Sequence, residues 1–583
     1  MSENMPESEK YEGTPEVENT VDSLGSKDAL EDIAALSDDD GILRFDRLDV
    51  DLWQGRIARL LIFFALCIQP LFVFPAGRMT FYFDLTTFKF AFFAIYMIIL
   101  LVAIAIVWIS RMLRTPRMLP KGKLSIADWA VLGFAAVTIL SSLFSPYKDE
   151  ANLWVGRPDR HDGAITQLLY VAVFFIASRW YKPRKSDFKL FGISATIIAL
   201  LGIFQFFGWD ILDYLLSDRG DQVIIVHDQL STLGNTNFVS TYASVVALLF
   251  GFLYVKASSK WRFLYLTASA LCIWMMFISN ADSGLVGILA ALLFALLYVI
   301  ESRQVFGRLL ILGSFWLIAY ILRTFLLGIV HGSRPVTDLL PLAAAALVFL
   351  AAGMFLAWFR RQTHRIDFER PVRWKLGLVL IASCILLGLA GVEVLGRYSD
   401  SGIIYEAREI LHGNIHDDFG TQRIFVWRNG FQAFLENPIL GNGPDTFRNS
   451  FPIEGQAEGI VRFATYYDKA HNEYLQILTC QGILGLLCYM LFLGGVFIKS
   501  VSRAFRNPLM MAIIIAVFGY LAQAFFNISL PVASQILWVF LGMLMNERVQ
   551  NLKWVIKTKD THETSDVSPA LLCDEAEEAQ SHG

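Results

Sequence analysis

The chain has 583 residues, 55% hydrophobic and 17% charged, with a formal net charge of −4 and a mean hydropathy of +0.50. That balance excludes a string of soluble domains, and the lack of any basic patch interleaved with aromatics excludes nucleic acid as a partner. Apolar runs of roughly 18 residues or more, enough to cross a bilayer as helices, recur along the chain, whereas barrel strands would be short and alternating. The predicted class is all-α: a polytopic membrane protein with about 12–14 transmembrane helices.

Residues 1–50 are rich in Asp and Glu and poor in aromatics, which predicts a disordered acidic tail. No cleavable signal is visible there, so the first span is expected to serve as an uncleaved insertion signal. Fourteen candidate spans follow, at 57–75, 86–110, 126–145, 164–180, 188–208, 237–255, 262–279, 283–300, 308–330, 336–359, 374–395, 474–498, 508–527 and 532–546. The expected organisation is an N-terminal transmembrane bundle over 51–395, a large extracytoplasmic catalytic loop over 396–473, C-terminal transmembrane helices over 474–550 and a tail over 551–583. Within the large loop, 403–411 and 423–435 have the pattern of short amphipathic helices. The second is expected along the membrane interface with Phe425, Trp427, Phe431 and Phe434 inward. Five of the six cysteines fall in hydrophobic runs and none forms a CxxC pair, so they are expected to be small buried hydrophobes.

Lys and Arg concentrate in one alternating set of short loops, 111–123, 182–185, 256–262, 303–308, 360–375 and 499–506. The other set, 76–85, 209–236, 280–283, 331–337 and 528–531, is poor in them. The positive-inside rule then puts both termini in the cytoplasm and the loops 146–163 and 396–472 outside.

Chemistry-bearing residues cluster in those outer loops. WVGRPDRHDG (Trp154 to Gly163) brings Arg157, Arg160 and His161 to the mouth of a span. The planar arginine fork suits a diphosphate, although a solvated turn pairing Arg with Asp159 and Asp162 has the same composition. Arg423, Trp427 and Arg428 precede NPILGNGPDTF (Asn437 to Phe447), where Gly441 and Gly443 permit backbone geometry that lets a ligand approach closely. His471 and Asn472 open AHNEYLQIL at the outer end of the next span. Histidine is the side chain best placed to accept a proton near neutral pH, though one at a helix start also serves as a cap. Asp282 lies in the tight turn SNADSG, and Arg323 interrupts an apolar run, which is costly unless it faces protein or water or snorkels to the surface. No metal-ligand set is found, and no cofactor is expected.

In this order, R-x-x-x-W (Arg423, Trp427), NPILGNGPDTF and HNEYLQIL with the following GILGLL resemble the O-antigen ligase and polymerase family of bacterial membrane glycosyltransferases. GRPDRHDG and STLGNTN support the likeness. The resemblance implies an all-helical membrane glycosyltransferase with a large external loop over a lipid-facing cavity. Its partners would be membrane lipids, a lipid-linked glycan donor on undecaprenyl diphosphate, and a glycan, lipid or protein acceptor. It implies neither a nucleotide sugar nor a metal. His471 matches the family histidine proposed to activate the acceptor hydroxyl, and Arg423 an arginine proposed to hold the diphosphate. Arg157 and Arg160 match the basic motif of the earlier outer loop. Arg428, Trp427, Gly441, Gly443 and Asn472 complete the expected binding set, with His161, Asp282 and Arg323 at its edge. Many relatives carry Ser-Arg where this chain has Asp282-Ser283-Gly284, so Arg157, Arg160 or Arg323 is expected to stand in for that arginine.

Three alternatives stay open on sequence: a polysaccharide polymerase of the same family, a peptidoglycan-type glycan polymerase with a carboxylate in place of His471, and a lipid-linked glycan flippase. The flippase predicts charged residues lining a path through the spans, and here in-span charges are few (Lys89, Arg323, Glu393).

Overall fold

The computed structural model describes residues 50–73, 85–114, 124–158, 160–209, 211–212, 231–257, 259–299, 303–331, 339–358, 370–398, 402–451 and 467–552. The acidic tails, Asp159, Cys573 and the loops 213–230, 332–338 and 359–369 lie outside the described residues.

A helix stands at each of the fourteen predicted spans, and no strand occurs among the described residues. We number the helices α1 (Val50–Phe63, continued by a π-helical turn Phe64–Ile68 and Gln69–Leu71), α2 (Leu85–Arg114), α3 (Ile126–Leu143), α4 (Ala164–Arg179), α5 (Lys185–Phe206) and α6 (Thr236–Lys256). Next come α7 (Arg262–Ile278), α8 (Ser283–Val299), α9 (Arg303–His331), α10 (Leu340–Trp358) and α11 (Arg370–Gly396). The large loop contributes α12 (Ile403–Leu411), α13 (Phe419–Glu436) and the single turn α14 (Phe447–Ser450). The chain closes with α15 (Glu473–Ala504), α16 (Pro508–Gln523), α17 (Gln535–Met545) and α18 (Glu547–Asn551). Among the described residues, nine helices are long and apolar enough to cross a membrane, and four shorter apolar ones accompany them. The protein is an all-α polytopic membrane protein.

The core forms around α6, whose whole apolar window is buried, with α7, α8 and α16 against it. A helix that is apolar on every side must be enclosed by protein or face lipid, and the chain has both kinds. In α11 none of the apolar window is buried, and in α10 very little is. That is why Cys384 on α11 is exposed, against the expectation of a buried thiol, whereas Cys67, Cys272 and Cys480 are buried.

Buried charges are met by helix ends. Lys89 in α2 donates to the carbonyls of Gln69 (2.8 Å) and Pro70 (2.9 Å) at the C-terminal end of α1, where carbonyls lack helical partners and a cation is favoured. The Gln69 amide in turn donates to Lys89 O and Pro531 O, joining α1, α2 and the turn before α17. Arg308 in α9 likewise donates to Val255 O and Ala257 O at the end of α6.

One irregularity organises the side on which the large loop packs. The long helix α15 breaks at Gly482, which adopts φ +68°, ψ −172°. A break frees carbonyls before it and N–H groups after it. The Gly-rich turn answers both: Asn442 N and Gly443 N donate to Thr479 O and Cys480 O, while Ile483 N donates to Pro438 O at 2.8 Å. At Gly441 (φ +71°) a Cβ would lie 2.5 Å from backbone atoms of Cys480, Gln481 and Gly482. The turn and the kink are therefore two halves of one joint. The helix α13 packs on the same joint through Val426, Asn429, Gly430 and Ala433, the i, i+3, i+4, i+7 face. Thr479 donates to Gly430 O, and the Phe447 ring closes over Gly430. This corrects the expected aromatic stripe. Phe425 packs on the small cluster of Val426, Phe447, Phe451 and Tyr467, but Phe431 is exposed.

Gly441→Ala and Gly482→Ala should each lower the melting temperature of the detergent-purified protein by several degrees, because both demand a left-handed backbone and meet main chain. Gly388→Ala on α11, where an added Cβ meets nothing within 4 Å, should not. Equal melting of all three variants would contradict the joint.

Candidate functional site

Three segments converge at the N-terminal end of α15: the loop before α4, the Gly-rich turn and the residues before α15. Lys469 holds them together. Its Nζ lies 2.7 Å from Asp162 Oδ2 and 2.8 Å from Asp445 Oδ1, and all three side chains are essentially buried. Burial works against the Lys469 cation, but Asp162 and Asp445 outweigh it and hold its pKa above the ordinary lysine range. For Asp162, burial raises the pKa, Lys469 lowers it and Asp445 raises it again, and the balance is a carboxyl pushed up to about 6. The other oxygen of Asp445 accepts from Arg157 N at 2.7 Å, and Gln167 donates to Asp162. Asp445 (φ +61°), His161 (φ +52°) and His471 (φ +47°) all adopt the left-handed conformation that non-glycine residues rarely take. Such strain persists only where the surroundings over-determine it.

His471 follows Lys469 by two residues. Ala470 between them is gripped from both sides: Trp427 Nε1 donates to Ala470 O at 3.0 Å, and Ala470 N donates to Gln476 Oε1 at 2.9 Å. The His471 Nδ1 is buried and makes no hydrogen bond. Burial and then Arg423 push the His471 pKa down to about 4, with Arg160 and Lys469 acting in the same direction and Asp468 against them. At neutral pH the ring is an uncharged imidazole, able to accept a proton. Asn472 accepts from Tyr474 N and Leu475 N and caps α15. Glu473 is buried beneath, accepting from Tyr489 OH (2.8 Å) and Tyr520 OH (3.2 Å). A cavity of about 30 Å³ lined by Asp162, Lys469, Glu473, Gln476 and Ser529 lies behind, room for one or two waters.

Arg423 faces His471 from the start of α13. Three successive left-handed residues, Gly420, Thr421 and Gln422, precede it, and Glu406 of α12 accepts from Gly420 N at 2.9 Å. Arg423 Nη1 donates to Gly420 O at 3.2 Å, while Nε is buried without a hydrogen bond. Burial lowers the Arg423 pKa, and Asp282 and Glu406 oppose that, so the turn before α8 also faces this arginine. Arg160 Nε pairs with Asp468 at 2.7 Å, and Asp468 is held below its ordinary range because Arg160 and Lys469 outweigh its burial.

The structure thus gathers His471, Arg423, Arg160, Arg157, Trp427, Asn472 and Asp282 around one site. Other expected members stand elsewhere. Arg428 is exposed and pairs with Asp417 at 3.0 Å. Arg323 donates to Asn280 Oδ1 at 2.9 Å, tying α9 to the turn before α8. His161 is buried, stacked on Phe90 at 4.5 Å with Nε2 3.0 Å from Thr87 Oγ1. Gly441 and Gly443 admit protein: Gly443 closes on Ser145 and Leu153. Sequence reasoning missed Lys469, Asp445, Asp162 and Asp468 as a set. The available signal was opposite charge in three turns, Asp162 in RHDG, Asp445 in GPDTF and Asp468-Lys469 before AHNEY.

Together these features define a polytopic membrane protein with a polar site built from the loops between its helices. Residues 342–490, from α10 to the middle of α15, match the family model described as O-antigen ligase. By this segment the chain is similar to O-antigen ligases, and the match supports a glycosyl-transferring activity. None of the curated proteins compared matches the chain.

Removing Lys469 leaves two buried carboxylates facing each other without a counter-ion, a change that costs roughly 3–5 kcal/mol. Lys469→Met should therefore lower the melting temperature sharply, and Lys469→Met with Asp445→Asn should recover part of the loss. A thermal melt showing additive losses would argue against the three-way pairing.

Proposed function

We propose that the protein transfers a glycan from undecaprenyl diphosphate to an acceptor hydroxyl on the outer face of the cytoplasmic membrane. The reading rests on one observation above the others: an uncharged His471 and a buried Arg423 share a site rich in cations. In the reaction the acceptor O–H gives its proton to His471 as its oxygen attacks the anomeric carbon. The bond from that carbon to the diphosphate oxygen breaks, and the charge that develops there falls on Arg423, with Arg157 and Arg160 near it. Preorganised cations in a partly dry site stabilise such charge strongly. The proton then leaves His471 for water or the departing diphosphate.

The basic loops supply the orientation: both termini inside, and the site outside where a flipped lipid-linked donor is accessible. A flippase fits the in-span charges less well. Lys89 and Arg308 are occupied with backbone carbonyls at helix ends, and Glu393 pairs with Arg397 and His412 at the end of α11.

Reconstituted with a lipid-linked glycan and an acceptor, His471→Ala should lose about 10²–10⁴-fold in transfer while retaining its melting temperature. Unchanged transfer, or glycan movement across vesicles without bond formation, would sink the proposal. Arg423→Gln should raise the KM for donor and lower kcat together.

The pH dependence carries a sign. A base must be unprotonated, so activity falls as pH drops through its pKa. For the donor-free protein that limb, in kcat/KM, should lie near 4 and not at the ordinary histidine value of about 6.5. Bound diphosphate brings negative charge to His471, so the limb in kcat should lie at higher pH than that in kcat/KM. Arg423→Gln should move the kcat/KM limb upward; a limb that ignores this substitution would argue against the pairing of the two residues.

A further inference from the structure

A second cavity, about 370 Å³, lies between α1 and α5 and is closed from behind by Met543 of α17. It stands beside Tyr181 and Asp187, at the far end of α4 from Asp162, and α4 is about 24 Å long. It is therefore a different place from the site around His471. The cavity is polar at one end and apolar at the other. Arg56, Arg59 and Asp187 line the polar end, and Phe63, Leu66 and Phe188 line the rest, a climb along α1 of about 15 Å. At its side Leu60 and Leu190 are 44% and 46% exposed, so the chamber opens laterally between two apolar helices.

The polar end carries an excess of cations. Residues 51–59 supply Arg56, Arg59 and Asp51, and residues 182–189 supply Lys182, Arg184, Lys185, Lys189 and Asp187. The stem of Lys182 packs on Gly55, which brings the two segments together. Asp187 Oδ2 already accepts from Tyr181 OH (2.8 Å) and Arg184 N (3.0 Å), and stands 3.9 Å from Arg59 Nε. Arg59 Nε is buried and makes no hydrogen bond. At the apolar end α1 is widened by its π-helical turn, and Ser194 of α5 donates to the Cys67 carbonyl there at 2.8 Å. Such turns are rare in helices and concentrate at functional sites.

We propose that this cavity binds an anionic phospholipid, its phosphate between Arg56 and Arg59 and an acyl chain in the apolar chamber. The excess of cations selects a net negative headgroup over a zwitterionic one, because each basic residue at such a surface contributes about 1 kcal/mol toward anionic lipid. The lateral opening and apolar lining select a lipid over free phosphate. With the positive-inside orientation the site faces the cytoplasmic leaflet.

The test uses the full-length protein in phosphatidylethanolamine nanodiscs with and without phosphatidylglycerol, read by native mass spectrometry and thermal melting. Phosphatidylglycerol should be retained and should raise the melting temperature, whereas phosphatidylethanolamine or inorganic phosphate should do neither. Arg56→Gln with Arg59→Gln should weaken phosphatidylglycerol retention about thirtyfold. The paired Arg→Lys substitutions should restore it. Equal retention of both phospholipids, retention of phosphate alone, or undiminished retention by the Gln pair would overturn the proposal. If the Gln pair does not fold, the competition between the two phospholipids on the unaltered protein decides.

Discussion

The polar site depends on a single buried cation. Lys469 bridges Asp162 and Asp445, which belong to loops separated from each other by nearly half of the chain. A buried ion pair adds little net stability, because desolvation consumes most of the Coulomb gain. Its effect is on alternatives: any arrangement that parts Lys469 from either carboxylate leaves a charge stranded away from water. The same contact fixes neighbours that do not touch the lysine. Asp445 accepts from Arg157 N, and Lys469 and Ala470 set the backbone that carries His471 into its left-handed conformation.

The second constraint is mutual capping between the Gly482 break and the Gly-rich turn. A transmembrane helix interrupted at that depth would present unsatisfied carbonyls and N–H groups where water is scarce. Residues 438–443 supply the missing partners, and Asn442 adds side-chain bonds to Ala433 O and Thr479 O. The turn can come that close only because Gly441 has no Cβ. The motifs NPILGNGPDTF and GILGLL thus stand against each other for a packing reason, and their joint position delivers Asp445 to Lys469.

The spans and the two loop helices were legible in the sequence because hydrophobic periodicity is local, and 403–411 is the helix at the predicted bounds. The gathering of His471 with Arg423 followed from motifs within about 50 residues of each other. What sequence could not convey was long-range pairing. Lys469 and Asp162 are 307 positions apart, and nothing local marks either as the other's partner. The glycines misled for a related reason: a left-handed turn looks the same whether ligand or main chain fills the space beside it. The aromatic stripe of α13 misled because Val426, Asn429, Gly430 and Ala433 offer a smaller, better-fitting face to α15 than the phenylalanines do.

The arginines at the site are not equivalent, and their existing bonds separate them. Arg160 spends its Nε on Asp468 at 2.7 Å, and Arg428 is turned outward to Asp417. Arg423 is engaged through Nη1 with a backbone carbonyl, which leaves its charge uncompensated, while Asp282 and Glu406 act on it through longer-range attraction. A buried guanidinium in that state gains most from an arriving anion, because the anion replaces a partner that the folded protein does not supply. Burial first, and then the same positive field, hold the His471 pKa below its ordinary range. On the proposed reading, donor binding and basicity are coupled through Arg423: the group proposed to hold the diphosphate is also the group whose neutralisation would make the imidazole a stronger base.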